Sequence, residues 1–372
     1  MNENRITSLD LMRGVVMVLM AIDHVRVFSG VPAGGPTAGV FFTRWITNFV
    51  APAFAFLAGT GAYLHGRRLA NRGQLARYLV VRGLLLVMLE LTIIRISWTF
   101  NLAYAHYLLA GVIWMLGCCM ILLATLLWLP TPVIGALGVL VIAGHNLLDR
   151  FPFEPGPLAK LLYFGGPIQL GQSGPTLMVL YSIVPWIGVM AAGYAFGAVM
   201  LLEPRRRDAL CLTIGASAIA LFLLLRGLDL YGDPRPWHHL SPLPAAFRFL
   251  ATTKYPASLL FLLMTLGPLL LLLPLAGRAG GRVARFFSTF GRVPLFYYLL
   301  HIPVIHLAAV LVSLVREGHA DPWLFTNHPM MNPPPPPGYM WSLPLLYAVF
   351  TVVVLALYLP SRWYATIKLR YL

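Results

Sequence analysis

"LDLMRGVVMVLMAIDHVRVFS", residues Leu9 to Ser29, carries Asp10, Arg13, Asp23, His24 and Arg26 inside an otherwise apolar run. A helix of about 20 residues crosses a bilayer, so the run is long enough to span. Hydrocarbon penalises each of those ionisable side chains. Two readings compete for them. In the plainer one, Arg13 snorkels to the headgroups and Asp23 pairs with Arg26 three residues on. His24 is then an interfacial histidine bonded to a backbone carbonyl. In the other, these groups face the interior of a bundle, where ionisable residues of membrane helices usually serve function. The number of such groups in one span favours the second.

The rest of the chain agrees that this is a membrane protein. Of 372 residues, 59% are hydrophobic and 10% charged, against about 25% charged in soluble domains. Apolar runs of spanning length recur at 9–29, 46–66, 77–97, 105–128, 132–148, 177–202, 208–226, 256–276, 292–316 and 342–362. The expected fold is therefore all-α: a polytopic bundle of about ten transmembrane helices forming one integral-membrane domain over residues 1–372. The net charge of +15 is concentrated between runs. Arg67, Arg68, Arg72 and Arg77 separate runs two and three; Arg205, Arg206 and Arg207 separate six and seven. Arg278, Arg282, Arg285 and Arg292 separate eight and nine, and Arg362, Lys368 and Arg370 close the chain. With ten spans all of these fall on one side, which the excess of Lys and Arg marks as cytoplasmic along with both termini. Topology thus accounts for the charge, and no nucleic-acid partner is expected. Cys118, Cys119 and Cys211 lie in apolar runs and form neither a disulfide framework nor a metal spacing. The first run lacks a small-residue cleavage site, so it does not read as a signal peptide. The longer loops, at 30–45, 149–176, 227–254 and 317–341, fall on the far side. Among them "NPPPPPG" (Asn332 to Gly338) reads as a stiff polyproline spacer.

Within the first run the spacing is informative. Thr7 and Asp10 form a capping-box pattern that starts a helix near Ser8, and Asp10 can pair with Arg13. Arg13 and His24 are eleven residues apart, close to three whole turns, so both point the same way, roughly 16 Å apart along the axis. A cation at one end of a column and an imidazole at the other suit a ligand that is anionic at its cytoplasmic end and reactive near the histidine.

Arg13, ten intervening residues and His24 match the R-x10-H signature of type 3 transmembrane acyltransferases. The stretches "RITSLDLMRGVVMVLMAIDHVR", "FFTRWITNFVAPAFAFLAGTGAYL" (Phe41 to Leu64), "KYPASLLFLLMTLG" (Lys254 to Gly267) and "GRVPLFYYLLHIPVIH" (Gly291 to His306) make the resemblance closer to one group. The chain resembles bacterial membrane proteins related to the catalytic domain of heparan-alpha-glucosaminide N-acetyltransferase and to the YeiB-like proteins. The resemblance implies acyl transfer from cytoplasmic acyl-CoA, as acetyl-CoA, without a metal. The acceptor would be an extracytoplasmic hydroxyl or amine of a small molecule or glycan. It implies His24 as the central catalytic group, with Arg13 and Asp10 on the donor side and His301 as a pocket residue. Without the resemblance, His301 reads equally as a helix-packing histidine. The implied setting is a multi-pass protein among the lipids of a bacterial-type inner membrane, with a homodimer left open.

The chemistry fits. Acyl transfer from a thioester needs a base or a nucleophile, and histidine serves as either near neutral pH. The ring also needs a partner that fixes its tautomer. Asp23 is the nearest acid in sequence but lies about 100° around the helix. Glu90, deep in run three, is the better-placed candidate; its alternative is a salt bridge to Arg82 or Arg95. Donors for a developing oxyanion or for the acceptor are Arg44, Asn48 and Lys254. His238 and His239 lack a Cys or carboxylate partner for zinc and read, with Trp237, as loop residues on the far side. Two other classes remain open. One is a proton-coupled transporter or exporter using Asp23, His24 and Glu90 as a relay; the other is a non-catalytic lipid or glycan scaffold.

Overall fold

A computed structural model describes residues 6–35, 37–150, 154–239, 244–327 and 333–371. Asn332 of the proline run and the side chains of His239 and Arg370 lie outside the described residues. The chain is mostly helical, and each of the ten apolar runs contains a helix. Among the described residues six helices are long and apolar enough to cross a membrane: Ala38–Gly66, Thr131–Arg150, Pro204–Leu228, Leu259–Arg278, Pro294–Glu317 and Leu343–Lys368. Val112–Leu126 and Val184–Val199 are apolar but shorter. Only 17% of the most apolar window of Pro204–Leu228 is buried, and Leu221, Leu223, Leu224 and Leu228 stand exposed along it. Water does not tolerate a continuous apolar face of that kind, which suits a helix of a membrane protein.

The chain divides into two compact units. The first comprises residues 1–50, 93–103 and 273–372. Its first helix, Thr7–Phe28, begins after Ile6, which offers no side-chain cap. The start at Thr7 is one residue from the expected start near Ser8. Asp10 lies in the first turn, where its charge suits the helix dipole, and its carboxylate is 4.0 Å from Arg13 Nη1. Against this helix packs Gly281–Arg292, an element absent from the list of apolar runs. The two approach backbone to backbone: a Cβ on Gly14 would meet the Phe287 carbonyl, and one on Gly291 would meet the Asp10 carbonyl. The pairing of 10 with 291 and 14 with 287 makes them antiparallel. The next helix, Pro294–Glu317, puts His301 beside His24 and His306 beside Phe28, so it runs parallel to the first. The last helix, Leu343–Tyr371, returns: Tyr347 near its start bonds Thr43, and Lys368 near its end reaches the Arg292 carbonyl. Its entry is tied to the far end of the first helix, where Tyr339 Oη donates to the Phe28 carbonyl and the Trp341 N–H to the Ser29 carbonyl. Thr7 and Lys368 consequently lie at the same end of this unit.

The second unit comprises residues 51–92 and 104–272. Arg72–Leu89 and Val112–Leu126 pack with Gly83 and Gly117 facing each other, each leaving room for the other's carbonyl. Thr131–Gly144 packs on Val184–Val199. The fold is mostly helical, as expected, and carries one small sheet. Three short strands, β1 (Tyr107–Ala110), β2 (Gly166–Gln169) and β3 (Thr176–Val179), form a sheet in the order β1-β3-β2. β1 is parallel to β3 and β2 antiparallel to it. β1 and β3 occupy the starts of apolar runs four and six; a short apolar run bounded by glycine does not distinguish strand from helix. The loop after Pro204–Leu228 is organised by one buried cation. The Arg226 guanidinium donates to the carbonyls of Phe249, Arg235, Arg248 and Ala251 at 3.0–3.1 Å. Asp233 completes the hub, accepting from the Thr253 N–H at 2.7 Å and from Ser258 Oγ at 2.8 Å.

Candidate active site

His24 is half-buried in the last turns of the first helix, and its ring is met by Trp98 and His301 of the same unit. Trp98 stands edge-on at 4.8 Å between ring centroids. Phe28, one turn on, stacks on Trp98 at 5.5 Å. The decisive contact is His301, whose Nε2 lies 2.6 Å from His24 Nδ1. His301 is fully buried, and its own Nδ1 is 2.6 Å from the Tyr298 carbonyl oxygen.

For two neutral rings these two contacts select one pair of tautomers. A carbonyl only accepts, so His301 Nδ1 must carry its hydrogen. A neutral imidazole has one N–H, which makes His301 Nε2 an acceptor. His24 Nδ1 therefore donates to it, and the lone pair of His24 lies on Nε2, the nitrogen turned away from the pair. The dyad is thus an oriented base: the backbone of Tyr298 holds His301, and His301 holds His24. The helix that carries His301 also carries Pro303. Proline supplies no N–H to the preceding turn, so the Leu299 carbonyl, next to the Tyr298 carbonyl that His301 bonds, lacks its i+4 backbone donor.

Beside the dyad the candidate residues Asp23, Arg44 and Asn48 form one network. Asp23 Oδ1 accepts from Arg26 Nε at 2.9 Å, and its Oδ2 is 3.6 Å from Arg44 Nη1. The same Arg44 nitrogen donates to Thr47 Oγ1 at 3.0 Å and Asn48 Oδ1 at 3.1 Å. Arg26 continues to the Val31 carbonyl at 2.8 Å. The pairing of Asp23 with Arg26 expected from their spacing is formed, and the second arginine makes it part of a larger cluster. Arg13 and Asp10 lie about three turns toward the other end of the helix, paired with each other.

Glu90 and Lys254 belong to the second unit. The Glu90 carboxylate accepts from the backbone N–H groups of Ile113 (3.0 Å) and Trp114 (3.2 Å). It thus satisfies donors at the first turn of Val112–Leu126, which otherwise lack intrahelical partners, and Gly111 leaves it space. Arg82, one of its expected ion-pair partners, donates to Tyr78 Oη; Arg95, the other, donates to Thr99, Asn101 and Ala103. Replacing Glu90 by leucine is expected to lower stability by about 1–3 kcal/mol by orphaning two buried donors, measured as thermal unfolding in detergent; an unchanged midpoint would contradict the capping role. Lys254 Nζ lies over the rings of Tyr255 and Tyr181, at 5.3 Å and 6.0 Å, in the loop that Asp233 holds.

Other expectations resolve simply. His238 Nδ1 bonds Asp229 Oδ2 at 2.9 Å, and Trp237 N–H donates to the same carboxylate. The three cysteines are free. Among the described residues no group of three His, Cys, Asp or Glu side chains could hold a metal. Trp98, Arg26, Thr47 and the Tyr298 carbonyl are parts of the site that sequence reasoning did not assign.

The family model described as heparan-alpha-glucosaminide N-acetyltransferase, catalytic, matches residues 5–231. The chain belongs to that family. The resemblance of the first-helix stretch thus extends over more than half of the sequence, and the family implies a membrane acetyltransferase. A search of curated proteins gave no match. His24, Asp23, Arg44 and Asn48 fall within the matched part, whereas His301 lies beyond it.

Proposed function

We propose that the protein transfers an acetyl group from cytoplasmic acetyl-CoA to a hydroxyl or amine on the far side of a bacterial-type inner membrane, with His24 as the base. The observation that carries this reading is the oriented His24–His301 pair, which leaves a lone pair on His24 Nε2. The ten helices of the apolar runs all cross, and the end that holds Thr7 and Lys368 faces the cytoplasm. The phosphates of the donor lie toward Arg13, and the thioester reaches His24 along the first helix. Nε2 takes the proton of the acceptor as its oxygen or nitrogen attacks the thioester carbonyl. The thiolate then leaves, and the imidazolium returns a proton to it. His301 accepts the His24 Nδ1 hydrogen throughout and so stabilises the cation that forms. Arg44 and Asn48, held in the Asp23 cluster, offer hydrogen-bonding groups to a glycan or small-molecule acceptor. A donor role for Lys254 is tested separately by Lys254→Met.

Purified protein in proteoliposomes, given radiolabelled acetyl-CoA, is expected to release thiol in the presence of an acceptor. Arg13→Gln should raise KM for acetyl-CoA about five- to tenfold, as expected for losing one charge-assisted contact, with kcat little changed. Uptake driven by a pH gradient, with no dependence on CoA, would instead favour a proton-coupled transporter.

A further inference from the structure

The helix Gly281–Arg292, "GRVARFFSTFGR", has two chemically distinct faces. At 100° per residue, Arg282, Arg285, Thr289 and Arg292 fall on one side. Val283, Phe286, Phe287 and Phe290 fall on the other. The aromatic face is partly used inside the first unit. Phe290 is fully buried, Phe286 stacks on Tyr358 of the last helix at 4.8 Å, and the backbone at Phe287 and Gly291 touches the first helix. Val283, at the free end of that face, is 70% exposed, and Arg278, Arg282 and Arg285 are exposed beside it. The chain enters and leaves this element where the first helix begins: a Cβ on Gly277, at the end of the preceding helix, would touch Ser8, and the Arg292 carbonyl accepts from Lys368. The element is bracketed by two helices of bilayer length, Leu259–Arg278 and Pro294–Glu317, and so lies at one membrane interface.

We infer that this helix is a binding surface for anionic phospholipid, with Arg278, Arg282 and Arg285 on the headgroup phosphates and Val283 among the upper acyl carbons. A basic stripe beside a protruding apolar residue, on a short helix at the bilayer boundary, is the pattern of interfacial helices. A nucleotide phosphate would use the same arginines but would not favour an exposed valine among them. The helix is also locked to the first helix through Gly14 and Gly291, so lipid bound here steadies the element that carries Arg13 and His24.

The test uses the full-length protein in nanodiscs of phosphatidylcholine alone or with one-third phosphatidylglycerol. Anionic lipid is expected to raise the unfolding temperature of the wild type and to be retained preferentially on transfer to detergent. Arg282→Gln/Arg285→Gln should lose that increment, and its preference for phosphatidylglycerol should fall about fivefold per arginine removed. Arg205→Gln/Arg206→Gln, which removes an equal charge elsewhere, should keep both. The inference is overturned if the first pair keeps the increment, if the second pair loses it equally, or if millimolar CoA or inorganic phosphate reproduces it in phosphatidylcholine alone.

Discussion

Replacing His24 by alanine is expected to lower acetyl transfer by about a thousandfold, within the range that a positioned general base contributes. The substitution removes the imidazole whose Nε2 lone pair is assigned the role of base. His301 is fully buried, its Nδ1 hydrogen is engaged by the Tyr298 carbonyl, and its Nε2 faces the position His24 would vacate. Asp23 is committed to Arg26 and Arg44. The folded state should survive, because the cost is one unpaired acceptor on His301 and a small cavity beside Trp98, about 1–3 kcal/mol. Thiol release from acetyl-CoA and the unfolding temperature should therefore separate: the first nearly lost, the second modestly lowered. His301→Ala should reduce turnover less, since His24 keeps its imidazole but loses the group that fixes its tautomer. Full turnover in the His24 variant would remove the base from the scheme, and equal collapse of stability and activity would point to a packing role.

The sequence carried much of this, and its silences have physical causes. Length and apolarity placed a helix in every run because a spanning helix needs many apolar residues in a row, a signal too long to miss. The same signal concealed Tyr107–Ala110 and Thr176–Val179, since strands of four apolar residues look like the first turn of the helices that follow. It also passed over Gly281–Arg292, which is too basic to be a run. Its mark was the alternation of Arg282, Arg285 and Arg292 with Phe286, Phe287 and Phe290 at helical spacing. In the site, i+3 pairs such as Asp10–Arg13 and Asp23–Arg26 were legible because one helix determines them. The partner of His24 was not. His301 lies 277 positions away, and only the parallel course of two helices brings the rings together. Resemblance singled out His301 without saying what it touches. Glu90 was legible as a buried acid, but its role as acceptor for Ile113 and Trp114 depends on a helix start that the apolar run concealed.

Gly14→Val is expected to abolish accumulation of folded protein, a loss of more than about 4 kcal/mol, which is unusual for one substitution and needs a named cause. The cause is a Cβ placed on the Phe287 carbonyl. Overpacking normally costs about 1–3 kcal/mol because side chains can change rotamer, but here the obstacle is backbone within a helix. Relief would require the two helices to part, and at Gly291 the reciprocal contact with the Asp10 carbonyl would be lost as well. Gly144→Ala is the control: a Cβ there meets nothing within 4 Å, and the unfolding temperature should change little. The comparison also links packing to chemistry. Pro294–Glu317 follows directly on Gly281–Arg292, so the height at which Gly14 and Gly291 interlock sets the height at which His301 meets His24. A Gly14→Ala protein that folds after a small parting of the helices should keep its secondary structure yet lose turnover, because a 2.6 Å contact between two imidazoles does not survive a shift of an ångström. Wild-type yield and wild-type turnover in Gly14→Val would show that the glycine contact does not hold this register.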